Sequence, residues 1–215
     1  MNTSFYTGLL LKGTATTAAA WLLSALLSVA VGMFLGTISC KHLQYRYLQR
    51  FVRVYTFMAK GVPAYVQILI AYFVIPVALG FKISGFWAAT FALSFCSSGY
   101  VTEIIRAGIN NVAIGQWEAA FVLGYPLMST LRLIIFPQVL KSALLPLIGE
   151  LEQLLKSTSL LATIGVIELT RSGMNIISRE LNPIPVYLII AAIYLVFSAV
   201  LQGFAWYLEQ RGARC

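Results

Sequence analysis

The chain has 215 residues, 60% of them hydrophobic and only 10% charged, with a mean hydropathy of +0.85. Soluble domains carry about 25% charged residues, so this composition excludes an ordinary soluble globule and places the chain in a membrane. A net charge of +8 would suggest nucleic acid in a soluble protein. Here Lys and Arg fall between apolar spans, where they set topology and face cytoplasm and anionic lipid, so no nucleic-acid partner is expected.

In chain order, Met1 to Thr16 reads as a short polar lead-in without the basic n-region or cleavage site of a secretory signal. The first span is expected over Thr17 to Ser39, with Gly32 and Gly36 as a GxxxG pair better suited to packing inside the chain than to dimerisation. A basic stretch, CKHLQYRYLQRFVR, follows. The second span runs from after Arg53 to about Gly80, interrupted by Lys60, Gly61 and Pro63; the third covers about Ile83 to Ile109. A fourth begins at Pro137 and reaches Leu155, and a fifth runs from Val186 to Tyr207, leaving 208–215 as a tail. This is an all-α membrane protein of about five helices, one membrane domain over 17–207.

One set of loops holds Lys41, Arg46, Arg50, Arg53, Arg106, Arg132, Arg211 and Arg214, and the other Lys12, Lys82, Lys156, Arg171 and Arg179. The richer set marks the cytoplasm, so the N-terminus is expected outside and the C-terminus inside. Cys40, Cys96 and Cys215 are scattered, and His42 is the only histidine, so no metal site is expected and the thiols read as inert.

Between the third and fourth spans lies a polar, cytoplasmic segment, GQWEAAFVLGYPLMSTLRLIIFPQVLKSALLP, Gly115 to Pro146. Ile114 to Leu123 predicts a short helix with Glu118 in its early turns, where a carboxylate suits the positive helix end. Gly124 can take a left-handed conformation and Pro126 prevents continuation. A second stretch, Ser129 to Phe136, then meets Pro137 at the start of the fourth span. Physics alone makes this an interfacial amphipathic helix.

The pattern Glu118-Ala119-Ala120, Gly124, Ile134, Phe136-Pro137 resembles the EAA loop of ABC importer permeases, with Phe136 where leucine is usual. Lys60-Gly61-Val62-Pro63 with Val66-Gln67 is similar to the RGTP…VQ element of polar amino acid permeases, with Lys60 in the arginine place. Tyr100, Glu103, Arg106, Gly108 and Ile109 resemble their YxxExxRxGI element, and Gly115-Gln116 is typical of the same branch. Leu155 to Leu160 resembles LKDTSL with Ser157 for Asp, and Glu168-Leu169 and Val186-Tyr187 complete a match along nearly the whole chain. The chain is thus identified as a member of the binding-protein-dependent transport system inner membrane components, HisMQ-like.

The resemblance implies an ABC transmembrane type-1 fold in the bacterial inner membrane, in a permease subunit for polar amino acids. Gly115, Glu118, Ala119, Ala120 and Gly124 would form a coupling helix docked on separate ATPase subunits, which use the ATP. A second permease, the same chain or a sister, and a periplasmic solute-binding protein are the other implied partners besides lipid. No cofactor is expected on this chain, and no phosphate-loop motif occurs in it.

Charged residues within spans need a reason. Glu150 matches a glutamate common in the family, whereas Gly149 stands for the usual asparagine and Glu152 falls at a usually apolar position. The two acids point about 200° apart on a helix, so one faces a pathway and the other a neighbouring helix. Glu150 reads equally as a substrate contact or a structural acid. Glu152 reads as the partner of Lys156 at i,i+4; either acid could instead attract a substrate's amino group or cationic side chain, and an extra buried acid leans toward a cationic amino acid. Glu103 and Arg106 read as a structural ion pair, with a gate or an anchor for the coupling helix as alternatives; with Lys60 and Glu150, Glu103 makes up the candidate substrate pathway. Lys60, at a helix break, either meets a substrate carboxylate or snorkels to headgroups. His42 reads as solvated, and Tyr45, Tyr47, Trp206 and Tyr207 as interfacial belt residues.

Two rival classes leave weaker traces. A membrane-embedded enzyme needs a nucleophile–base pair or metal ligands, yet the chain has one histidine and no aspartate, so no catalytic residue is assigned. A self-sufficient secondary carrier would show inverted repeats, and none is visible.

Overall fold

A computed structural model describes residues 3–41 and 46–212; His42, Tyr45, Arg214 and Cys215 lie outside the described residues, as do the side chains of 211–212. Among the described residues every regular element is helical. The first helix, α1, is Thr3–Ile38. It therefore passes straight through the segment expected to be a lead-in. The reason lies in its partner: Gly13 lies so close to Glu168 and Leu169 that a Cβ would sit 2.9 Å from the Glu168 carbonyl. The hydroxyls of Thr14 and Thr16 meanwhile bond back to the carbonyls of Leu10 and Lys12. Local polarity hides a helix that tertiary packing supports.

The second expected span is broken. Helix α2 (Arg46–Gly61) and the run from α3 (Ala64–Leu69) to α4 (Ile75–Leu79) meet at 98°. The break falls at Gly61-Val62-Pro63, where the residue before proline is pushed out of helical geometry. Between α3 and α4 lies a π-helical turn, Ile70–Val74, just before Pro76. The same device recurs at Leu131–Ile135 before Pro137. In an α-helix a proline ring clashes with the carbonyl four residues back; widening the preceding turn to π geometry makes room for it. Hence Pro137 does not start the fourth span. Helical chain runs from α7 (Leu127–Thr130) through the π turn and α8 (Phe136–Ser157) into a 3-10 segment, Thr158–Ile164.

Among the described residues three helices are long and apolar enough to cross a membrane, Phe5–Ile38, Leu127–Ile164 and Pro183–Gln210, and the bent pair makes a fourth if it is one span. Helix α5 (Gly85–Asn111) is long enough but polar, with Thr90, Ser94, Ser97, Ser98 and Thr102 buried along it. This polarity is tolerated because α1, α2, α3 and α8 enclose the helix. Its hydroxyls bond backward, Ser94 to the Thr90 carbonyl at 2.6 Å and Thr102 to that of Ser98 at 2.6 Å.

The α1–α5 seam is the most extensive packing in the molecule. A Cβ on Gly32 would stand 2.5 Å from Val101, and one on Gly36 2.8 Å from Ile105. The GxxxG pair thus serves a contact within the chain, as the sequence suggests. Small residues at helix seams are the usual solution in lipid, where dispersion packing replaces the hydrophobic effect. Helix α9 (Leu169–Glu180) lies across the N-terminal end of α1, and α10 (Pro183–Gly212) packs chiefly on α8 and α9. The rest of α10 exposes Leu188, Leu195, Val196 and Val200, as a lipid-facing helix does.

Candidate functional site: a cavity at the helix break

The α2–α3 bend leaves the last carbonyls of α2 without helical partners. Gln67 bridges the break: its buried side-chain amide donates to the carbonyl of Ala59 in α2 at 2.8 Å and to that of Val62, just past the end of α2, at 2.7 Å. Gly99 of α5 lets Ala59 approach, since a Cβ at that position would stand 2.7 Å from the Ala59 methyl. A glutamine and a glycine together hold an irregular backbone open inside a helical bundle. Such backbone is tolerated at membrane depth only where it faces protein or a cavity.

A cavity of about 400 Å³ opens beside this break, within the range of small-molecule sites. Its wall joins the bend (Lys60, Val62, Pro63, Ala64), α5 (Leu93, Cys96, Ser97, Tyr100) and α8 (Glu150, Gln153, Leu154, Ser157). Two of the three pathway residues picked from sequence therefore meet here, Lys60 and Glu150. The Lys60 ammonium lies 5.4 Å from the Tyr100 ring centroid, a cation–π contact. The ion pairs among the described residues are Glu103–Arg106 and Glu152–Lys156, so Lys60 and Glu150 do not neutralise one another.

The third residue, Glu103, is elsewhere. It pairs with Arg106 one turn along α5, and both line a second cleft with Lys41, Gln49, Arg53 and Asn110. Glu152 turns away from the cavity: Lys156 binds it at 2.7 Å, and Gln202 of α10 donates to it at 3.1 Å. The two acids of α8 thus divide between a cavity and a neighbouring helix. Sequence reasoning misses Gln153 as a wall residue and gives Gln67 no structural role. Nothing in a lone glutamine between Val66 and Ile68 signals that its amide will cap a helix that ends ahead of a proline.

The polar segment forms helix α6 (Ile114–Val122). It ends as expected: Gly124 has φ +74°, and Tyr125 donates to the Ala120 carbonyl across it, a Schellman closure. Two details differ. Glu118 lies past the first turn, which contains no acid, so the helix-end field does not account for it. Ala119 and Ala120 also split, Ala119 exposed and Ala120 only 1% exposed against the bundle. What α6 offers outward is Gly115, Glu118 and Ala119, followed by Phe121, Val122 and Leu123, which are 83%, 82% and 74% exposed.

At the other end of the bundle a carboxylate is fully enclosed. Glu168 is 0% exposed and caps α9, accepting from the backbone N–H groups of Thr170 at 2.8 Å and Arg171 at 2.7 Å. Tyr194 of α10 donates to it at 3.4 Å, and Thr17 of α1 takes the Leu169 N–H at 3.1 Å. Burial pushes the Glu168 carboxyl above its ordinary range, against the opposing pull of those N–H donors.

A broken helix pair, a central polar helix and a cavity at the break are features shared with transport-type membrane domains. Residues 28–214 match the family of binding-protein-dependent transport system inner membrane components, and the chain belongs to that family. It is 34% identical over 192 residues to the arginine transport system permease protein ArtQ of Bacillus subtilis, covering 89% of this chain and 87% of that one. It is 32% identical to the putative glutamine transport system permease protein GlnP of Rickettsia conorii, over 94% of this chain and 92% of the relative. Among solved structures, an amino acid ABC transporter with histidines superposes with a TM-score of 0.86 at 32% identity, covering 97% and 96% of the two chains. The methionine ABC transporter MetNI, at 16% identity and TM-score 0.80, shares the fold.

Proposed function

We propose that this chain is the permease subunit of an ATP-driven importer of polar amino acids, coupled to separate ATPase subunits through α6. The observation that carries the coupling reading is the exposed tip of α6. Phe121, Val122 and Leu123 project an apolar surface beside Glu118 and Ala119, although α6 is too short to be a membrane span. A segment folded this firmly yet left uncovered fits a partner groove. Gly115, Glu118, Ala119 and Gly124 belong to that surface or shape it, and Ala120 fastens it to the bundle.

In this reading the α6 end faces the cytoplasm, where the two ATPase subunits bind, with the C-terminus on the same side and the N-terminus outside. A second permease, identical or sister, completes the pathway, and a solute-binding protein delivers substrate to the α9 end. The chain's own part is to shift between inward-open and outward-open arrangements as the ATPases close. Lys60 and Glu150 contact the passing amino acid; Glu103, paired with Arg106 in the second cleft, serves the α6 end instead. The lean toward cationic substrates rests on Glu152 as an extra pathway acid, and its pairing with Lys156 and Gln202 takes that support away.

Purification in mild detergent from native membranes tests the assembly: an ATPase carrying a phosphate loop should accompany the chain in stoichiometric amount. Transport by the lone chain in liposomes without ATP would replace this reading with a secondary carrier. Glu118→Lys should leave insertion intact and uncouple uptake from ATP hydrolysis; normal ATP-driven uptake by that variant would sink the α6 assignment.

A further inference from the structure

Resting on the pathway reading of the cavity, we propose that it is built for an amino acid zwitterion whose side chain is polar but uncharged. Among the described residues the wall carries one base, Lys60, and one acid, Glu150, and no other charged residue. Neither is engaged in an ion pair with another described residue, Lys60 lying instead over Tyr100. The two charges therefore sum to zero while remaining separately available. A zwitterion is their complement, its carboxylate toward Lys60 and its ammonium toward Glu150. Once it is seated, every charge in the cavity has an opposite.

A lysine or arginine side chain would bring one more positive charge, and the wall holds no second acid to receive it. The candidate nearest in sequence, Glu152, is turned out to Lys156 and Gln202. An aspartate or glutamate side chain would need a second base, and Lys156 is bound to Glu152 outside the cavity. Unpaired charge away from water is heavily penalised. What remains on the α8 wall is Gln153 and Ser157. An amide both donates and accepts; the Ser157 hydroxyl, which already donates to the Gln153 carbonyl at 2.9 Å, can still accept. These groups suit an amide or hydroxyl side chain.

The test is calorimetric binding to the permease assembly purified with its own companions but without the solute-binding protein, whose selectivity would otherwise dominate. Pools of neutral polar, cationic and acidic amino acids are titrated separately. The neutral pool should bind at least about tenfold tighter than either charged pool, the cost of roughly one unsatisfied buried group. Ser157→Asp adds the missing acid to the wall and should move the preference toward the cationic pool, whereas Glu152→Gln should leave the ranking unchanged. Cationic amino acids binding the unmodified protein as tightly as neutral ones, with Glu150→Gln abolishing both, would overturn the proposed class and leave the pathway standing. If no pool binds, or if Lys60→Met and Glu150→Gln leave binding untouched, the pathway reading itself fails. Should Glu150→Gln not fold, the Ser157→Asp and Glu152→Gln pair still decides the class.

Discussion

Glu168 and Glu150 are both carboxylates withdrawn from water in a chain with few charges, yet their surroundings differ in kind. Around Glu168 two backbone N–H groups and a tyrosine hydroxyl converge, and Thr17 and Gly13 of α1 close over the same turn. Its hydrogen-bonding capacity is used internally, and the result is a pin joining α1, α9 and α10. Glu150 stands half-buried at a cavity wall that also holds a lysine without an ion-pair partner. A buried acid with all its bonds made holds structure; one left with capacity beside open space is ready for a ligand.

The contrast is broken most forcefully at the pin. Glu168→Ala leaves two N–H groups of α9 without acceptors and should cost about 2–4 kcal/mol, read as earlier unfolding in a denaturant titration of the detergent-solubilised protein. Gln67→Leu should follow, at about 1–3 kcal/mol, because the carbonyls of Ala59 in α2 and Val62 in the break lose their donor. Gly36→Ala forces the α1–α5 seam apart near Ile105 and should cost a similar or slightly smaller amount. Glu150→Gln sharpens the comparison from the other side: stability within about 0.5 kcal/mol of the unmodified protein, but amino acid binding lost. A Glu150→Gln protein as unstable as Glu168→Ala would make both acids structural.

What the sequence discloses follows the same division. Helix breaks are legible, since Gly61-Val62-Pro63 and Gly124 announce themselves through backbone chemistry that acts locally. So is the divergence of Glu150 and Glu152, which is helical geometry alone. The segment 3–16 reads as a lead-in because its helicity depends on α9, a partner more than 150 residues away in the chain. Pro137 reads as a helix start because a π turn that absorbs a proline has no composition of its own. Glu168 stands out only within a family pattern. Glutamate is not among the residues that favour helix caps, and nothing nearby says that Thr17 and Tyr194 will arrive.

The finest separation between the two acids lies in pH. The folded-state pKa of Glu168 is raised, burial outweighing its donors, so the folded chain holds that proton more tightly than the unfolded chain does. Between the ordinary carboxylate value and the raised one, unfolding releases a proton, and stability must fall as pH rises. The contribution is fully present below the unfolded pKa and is lost once pH passes the folded one. The slope from this one group cannot exceed about 1.4 kcal/mol per pH unit. Other carboxylates add slopes of their own, so the useful quantity is the difference between the unmodified protein and Glu168→Gln, which keeps an acceptor for α9 but cannot ionise. That difference should move in favour of Glu168→Gln as pH climbs through the window and flatten above it. An opposite drift would mean that the N–H groups of Thr170 and Arg171 outweigh burial and hold Glu168 as a carboxylate. The pin would then draw its strength from a buried charge, and Glu150 would be set apart by the open space beside it alone.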